Sequence, residues 1–321
     1  MQEQASVHPL DAFASDFIRD IDRHQDVRSE QLAEAFRQTY GLPPFPRLRH
    51  LELVCDELGI GLERMPEGLG AEGLNISTTE TTQIYLRGDL IRRRLETTLC
   101  HELREVLENA FQRVKPGYQG LMTHDNDAMN SESDRFAGYL LMQSEESWSL
   151  FEEVGYNPVE FAYRTRRSLP SVVLRMQQLF SSAQERGPVG GVWLFEAPWE
   201  VVEAEASTVN DLRVAYSAKL NGFSQEKGTK PGLQQQRLAF PGDRSSVLDF
   251  PQVWGAVGED EPRVWELGGF DLFGERNFIC VAQPLSYGYW SQPWRVLLAA
   301  IRNDCRPLIG PWLAEIGQPG R

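Results

Sequence analysis

His101, Glu102 and Glu105 stand within TTLCHELREVLENAF, residues 97–111. On a helix, side chains four residues apart lie one turn from each other. A His and a Glu so placed are close enough to grip one metal ion. A Glu directly after the His sits where it can take a proton from a metal-bound water. The pattern here is His-Glu-x-x-Glu, whereas helices that bind catalytic zinc usually read His-Glu-x-x-His. An amphipathic helix with a solvated polar side accounts for the same residues, because short motif matches also arise by chance.

The next helical stretch, NSESDRFAGYLLM at 130–142, adds a second carboxylate. Glu132, Phe136 and Leu140 fall on one stripe, which places an acid on an apolar face. Burying an unpaired carboxylate is costly, so Glu132 needs a partner, and a zinc ion would be one. A capping role at the positive end of the helix is the alternative. Asp134 already suits that role in a Ser131-x-x-Asp134 box. His124, in the loop between the two stretches, is a candidate for a ligand or an oxyanion-stabilising group; a surface histidine is the plainer reading. Cys100 adjoins His101 but points about 100° away around the helix, as a packing thiol does.

The elements that must position these groups are legible from spacing. Leu95, Leu99, Leu103, Val106, Leu107, Ala110 and Phe111 form one apolar stripe, so a long helix is expected over about 91–114. Two helices are expected over 9–40 and a third ending at Gly59, after the break at LPPFPR. A strand near 59–66 and a hairpin over 74–90 then lead into the site helix. Residues 147–180 read as helices separated by turns, a spacing that allows a helix-turn-helix. Such pairs mostly only pack together. Gly, Pro and Ser cluster at 181–191, which marks a boundary and a hinge. Beyond it come strand-like runs (VWLFEA, RNFICVAQPL), an exposed loop at 221–237 and a closing amphipathic helix over 293–316.

The totals bound the function. A chain of 321 residues suggests more than one domain. Its net charge of −14 opposes a general nucleic-acid surface, which needs surplus Lys and Arg. The local basic run at 87–96 reads as a solvated face. No apolar run is long enough to span a membrane, and the first residues lack the features of a secretory signal, so a cytoplasmic protein is expected. The four cysteines, at 55, 100, 280 and 305, include no CxxC pair and read as free thiols.

Residues 45–180 resemble the ImmA/IrrE family of metallopeptidases. The resemblance rests on the order helix, strand, hairpin and site helix, and on NSESDRFAGYLLMQ, which is similar to the family's second helix, Glu-x-Glu-Ala-Asn-x-Phe-Ala-x-x-Leu-Leu-Met-Pro. It implies an α+β fold. Residues 1–45 would be N-terminal helices, 46–147 a zincin-like metallopeptidase domain, 148–186 a helical extension, and 190–321 a GAF-like sensor domain. It implies that His101 and Glu105 bind Zn²⁺, with Glu105 standing where the family has its second His. Glu102 would be the catalytic base. The third ligand falls on Glu132 or on Asn130, and Glu132 alone has a ligating charge. Gln143 replaces the terminal Pro. One His and two carboxylates would make the bound water less acidic and admit Mn²⁺. The implied activity is cleavage of a helix-turn-helix repressor, releasing stress, DNA-damage, prophage or anti-phage defence genes. The competing expectation is an inactive sensor or adaptor that binds a repressor or a small ligand. Single-stranded nucleic acid at the sensor domain is a further, weaker expectation.

Overall fold

Leu99, Leu103, Val106, Leu107, Ala110 and Phe111 are all fully buried, so the expected apolar stripe is the axis around which the first part of the chain is built. The structure, a computed structural model, describes residues 8–20, 29–66, 70–78, 81–116, 126–182, 186–196, 212–221, 223, 251–259, 261–271, 274–285 and 295–317. The architecture is mixed α+β with two sheets. The chain divides into two units, Met1–Ser147 and Trp148–Arg321. No described helix is long and apolar enough to cross a membrane.

In the first unit, α1 (Pro9–Asp20), α2 (Ser29–Thr39) and α3 (Leu48–Glu57) precede β1 (Ile60–Met65), β2 (Gly73–Ser77) and β3 (Thr82–Arg87). The site helix α4 (Arg92–Val114) and α5 (Asn126–Leu141) follow. The sheet order is β1-β3-β2, with β1 parallel and β2 antiparallel to β3. β2 is therefore an edge strand, and it packs on α4. The N-terminal helices close over the same core. Phe17 of α1 meets Phe111 of α4 edge-on at 5.4 Å, and Phe36 of α2 meets Phe136 of α5 at 6.2 Å. Buried Arg37 donates to the Leu140 and Pro43 carbonyls at 2.8 and 2.9 Å, which satisfies a charge that would otherwise be costly to bury.

The helix expected from Ser131 starts at Asn126 instead. Asn126 and Asp127 are of the types favoured at helix starts. Ser131 then lies inside the helix, and Ser131-x-x-Asp134 is not its capping box.

The helix α6 (Ser144–Glu153) begins just before the second unit, in which α7 (Pro158–Thr165) and α8 (Leu169–Ser182) lead into an antiparallel sheet. Its order is β5-β4-β8-β7-β6, built from β4 (Gly190–Glu196), β5 (Arg213–Leu220), β6 (Arg263–Asp271), β7 (Gly274–Leu285) and β8 (Arg295–Arg302). Asn157 caps α7 by accepting from Val159 N and Glu160 N, with Pro158 in the first turn. Trp193, Phe195, Phe223, Phe278 and Leu298 form the core with α9 (Pro251–Glu259).

Two expectations fail here for physical reasons. The closing helix over 293–316 is instead the central strand β8, a 3₁₀ turn (Asn303–Ile309) and the short α10 (Gly310–Ile316). Val296 to Ile301 are buried on both faces between β4 and β7, and such a strand reads as a continuous apolar run, like a buried helix. The glycines expected as a hinge are packed. A Cβ at Gly190 would lie 2.2 Å from the Ala300 carbonyl oxygen, so glycine there lets two strands approach. Asn221 Nδ2 also ties down this run, donating to the carbonyls of Arg186, Gly187 and Pro188. The loop expected at 221–237 lies outside the described residues except for Asn221 and Phe223.

Candidate functional site

A cleft of about 540 Å³ lies along α4 beneath β2, with Gly73, Asn75, Arg94, His101, Glu102 and Glu105 among its walls. α4 supplies His101 and Glu105 one turn apart, with His101 Nε2 at 3.3 Å from Glu105 Oε1. The other ring nitrogen, Nδ1, stands 3.2 Å from Asp134 Oδ1 on α5. Glu102 is buried under β2. Asn75 Nδ2 donates to Glu102 Oε2 at 2.8 Å and to Glu105 Oε2 at 2.7 Å. Gly73 makes room for this arrangement, because a Cβ there would come within 2.5 Å of Glu102 Oε1. Arg94 pairs with Glu72 at 2.5 Å at the rim.

The charges are coupled. Burial disfavours the His101 imidazolium, but the hydrogen bonds to Asp134 and Glu105, with their charges, outweigh it and lift the group to about 9. Burial raises Glu102 above the usual carboxylate range, against the opposing hydrogen bond from Asn75. The hydrogen bond with His101 lowers Glu105, with Asn75 assisting. Two carboxylates a turn apart thus differ: Glu102 is the better proton acceptor near neutrality, and Glu105 the firmer anion.

The sequence-derived set assembles in part. His101, Glu102 and Glu105 meet. Glu132 does not join them: its carboxylate accepts from Ser29 Oγ at 2.5 Å and from Arg135 Nη1 at 2.9 Å. Glu132 faces α2, where Ser29 Oγ also donates to its backbone carbonyl. His124 lies outside the described residues. Asp134 and Asn75 take part without having been singled out for the site. The i+33 offset of Asp134 and the strand position of Asn75 leave no local signature.

Among the described residues, no three His, Cys, Asp or Glu side chains converge to hold an ion. A pair does fit. The 3.3 Å between His101 Nε2 and Glu105 Oε1 is that of their own hydrogen bond, and it is also about the spacing of two ligands on a tetrahedral zinc with bonds of about 2.0–2.1 Å. Asp134 then holds the second ring nitrogen, as the orienting partner of a metal-bound His does.

No protein-family model and no curated protein matches the chain. Among solved structures, a Mycobacterium tuberculosis transcriptional regulator is similar with a TM-score of 0.55 and 14% identity, over 94% of this chain and 83% of that one. At that identity the likeness is one of fold.

Proposed function

We propose that the chain is a metal-dependent endopeptidase of the zincin-like ImmA/IrrE type that cleaves a helix-turn-helix repressor to release stress-response or defence genes, under control of a GAF-like domain at 190–321. The observation that carries the reading is the meeting of His101, Glu102 and Glu105 in one cleft beside an edge strand. His101 and Glu105 would hold Zn²⁺ or Mn²⁺, which when bound polarises a scissile carbonyl and acidifies water. Glu102, with its raised proton affinity, accepts the proton of the attacking water and passes it to the leaving amine. Asn75 fixes the Glu102 carboxylate, and Asp134 fixes the imidazole. The free edge of β2 offers backbone donors and acceptors to an extended peptide.

One observation favours a second reading. Glu132, the expected third ligand, is engaged elsewhere, which suits a sensor or adaptor that retains the fold without cutting. The described transcriptional regulator of similar fold supports a place in transcription control under either reading.

Elemental analysis of the purified protein, paired with repressor cleavage by wild type, Glu102→Gln and Glu105→His, separates the two. One bound ion and cleavage abolished by Glu102→Gln support the endopeptidase. No ion and no cleavage by any of the three support the adaptor.

A further inference from the structure

The first unit carries a second cavity, of about 590 Å³, that shares no wall residue with the His101 cleft. That size falls within the usual range for small-molecule pockets, roughly 300–1,000 Å³. Its long sides are two helix faces. Ala12, Phe13, Asp16 and Phe17 recur on one side of α1, and Ala35 and Thr39 stand one turn apart on α2. Three rings make a continuous apolar wall. Phe13 stacks on Phe17 with centroids 5.9 Å apart and meets Tyr40 at 5.9 Å. The wall is backed by the core: Phe17 rests on Phe111 of α4, and Phe36 lies behind Phe13 and Tyr40 at 5.5 and 4.7 Å.

The charged residues among the described walls are Asp16 and Glu57, both acidic. Asp16 pairs with Arg19 at 3.0 Å, but both side chains are more than half exposed, and a pair so solvated is weak. Glu57 has no hydrogen-bond or ion-pair partner among the described residues. Burial, with the charge of Glu57 added, pushes the Tyr40 phenol up to about 12, so the ring stays neutral with an anion close by. A neutral aromatic face beside an anion attracts a cation twice, through the ring quadrupole and through the charge.

We infer that this cavity binds a small organic cation, its apolar body set against Phe13 and Phe17 and its ammonium head at the Tyr40 ring and the Glu57 carboxylate. Asp16 adds to the field at the rim. The inference stands apart from the chemistry at His101 and places a ligand site between the two N-terminal helices.

Three probes with one phenyl body test it on the full-length protein: phenethylamine, 2-phenylethanol and phenylacetate. Calorimetric titrations are run in about 0.15 M salt, which screens distant charges of the −14 chain beyond roughly 8 Å. Phenethylamine should bind at one site and tightest, the alcohol more weakly and phenylacetate weakest. Tyr40→Leu should weaken phenethylamine about two- to fivefold, the worth of an exposed cation–π contact. Glu57→Gln should bring the amine close to the alcohol, and Asp16→Asn should act in the same direction by less. Glu63→Gln removes an exposed carboxylate of β1 outside the cavity and should change nothing. Ala35→Trp fills the cavity, leaves the His101 cleft intact and should abolish binding of all three. Glu57→Gln, at an exposed position, decides the matter should the filled variant fail to fold. The inference is overturned if no probe binds, if the alcohol binds as tightly as the amine, or if Glu63→Gln weakens the amine as much as Glu57→Gln does. Amine binding that survives Ala35→Trp in a folded protein overturns it as well.

Discussion

Asn75 and Glu105, 30 residues apart in sequence, share a 2.7 Å hydrogen bond from the edge strand to the site helix. The same amide nitrogen reaches Glu102 at 2.8 Å. One neutral donor therefore sits between two partly buried carboxylates. Asn75→Leu removes it and should cost about 1–3 kcal/mol, the usual cost of leaving buried acceptors unsatisfied. Asn75→Asp adds a third carboxylate and should be more damaging at pH 8 than at pH 5. Urea denaturation at the two pH values checks both; equal effects of Asn75→Asp at both pH values would show that charge is not the issue.

The His101 cluster gives stability a direction in pH. In the metal-free fold His101 titrates at about 9, above its ordinary value near 6.5. A raised folded value means that the folded state holds the proton more tightly. The stabilisation is then complete below about 6.5 and is lost as pH climbs through about 9. Thermal melts of chelator-treated protein across this window should show the decline, and His101→Gln should flatten it. Asp134→Asn should bring the imidazole midpoint down in an NMR titration.

Gly73→Val tests the close approach of β2 to α4. Its Cβ would lie 2.5 Å from Glu102 Oε1 and 2.7 Å from Thr98 Cγ2. The Glu102 tip can move, but Thr98 is anchored on the helix. A loss of about 1–3 kcal/mol is expected from this overpacking, together with displacement of Glu102 from Asn75. Unfolding curves measure the first, and weakened metal binding the second.

Phe111→Ala empties the junction of α4 with α1, where Phe111 is fully buried against Phe17. A cost of about 3–5 kcal/mol is expected. A loss under about 0.5 kcal/mol, within the range of surface substitutions, would mean that α1 does not rest on this ring.

The site helix was readable because its stripe from Leu95 to Phe111 repeats with the helix and because His101, Glu102 and Glu105 are local to it. The hairpin that became β2 and β3 was readable from the strand-like run over 74–90, within which β3 alternates buried and half-buried residues from Thr82 to Arg87. Asp134 and Glu132 show where local reading stops. They lie two residues apart on one helix, and which of them meets His101 depends on how α5 is rotated between α4 and α2. Asn75 was invisible because its role exists only once β2 lies across α4. β8 misled for a different reason: Val296 to Ile301 are buried on both sides, so the run has no period to read.

The aromatic contacts of α1 and α2 have a bearing on how the site could be isolated or exchanged. A fragment cut to begin at residue 46 would retain every charged group of the cleft and look complete on paper. It would also strip Phe17 from Phe111 and Phe36 from Phe136, and remove Ser29 from Glu132. Aromatic side chains carry roughly 150–250 Å² of surface each, so the trimmed piece would turn a greasy flank to water and stick to itself. A recombination that swapped these two helices would have to bring matching rings with it, which ties the history of the first forty residues to that of the cleft.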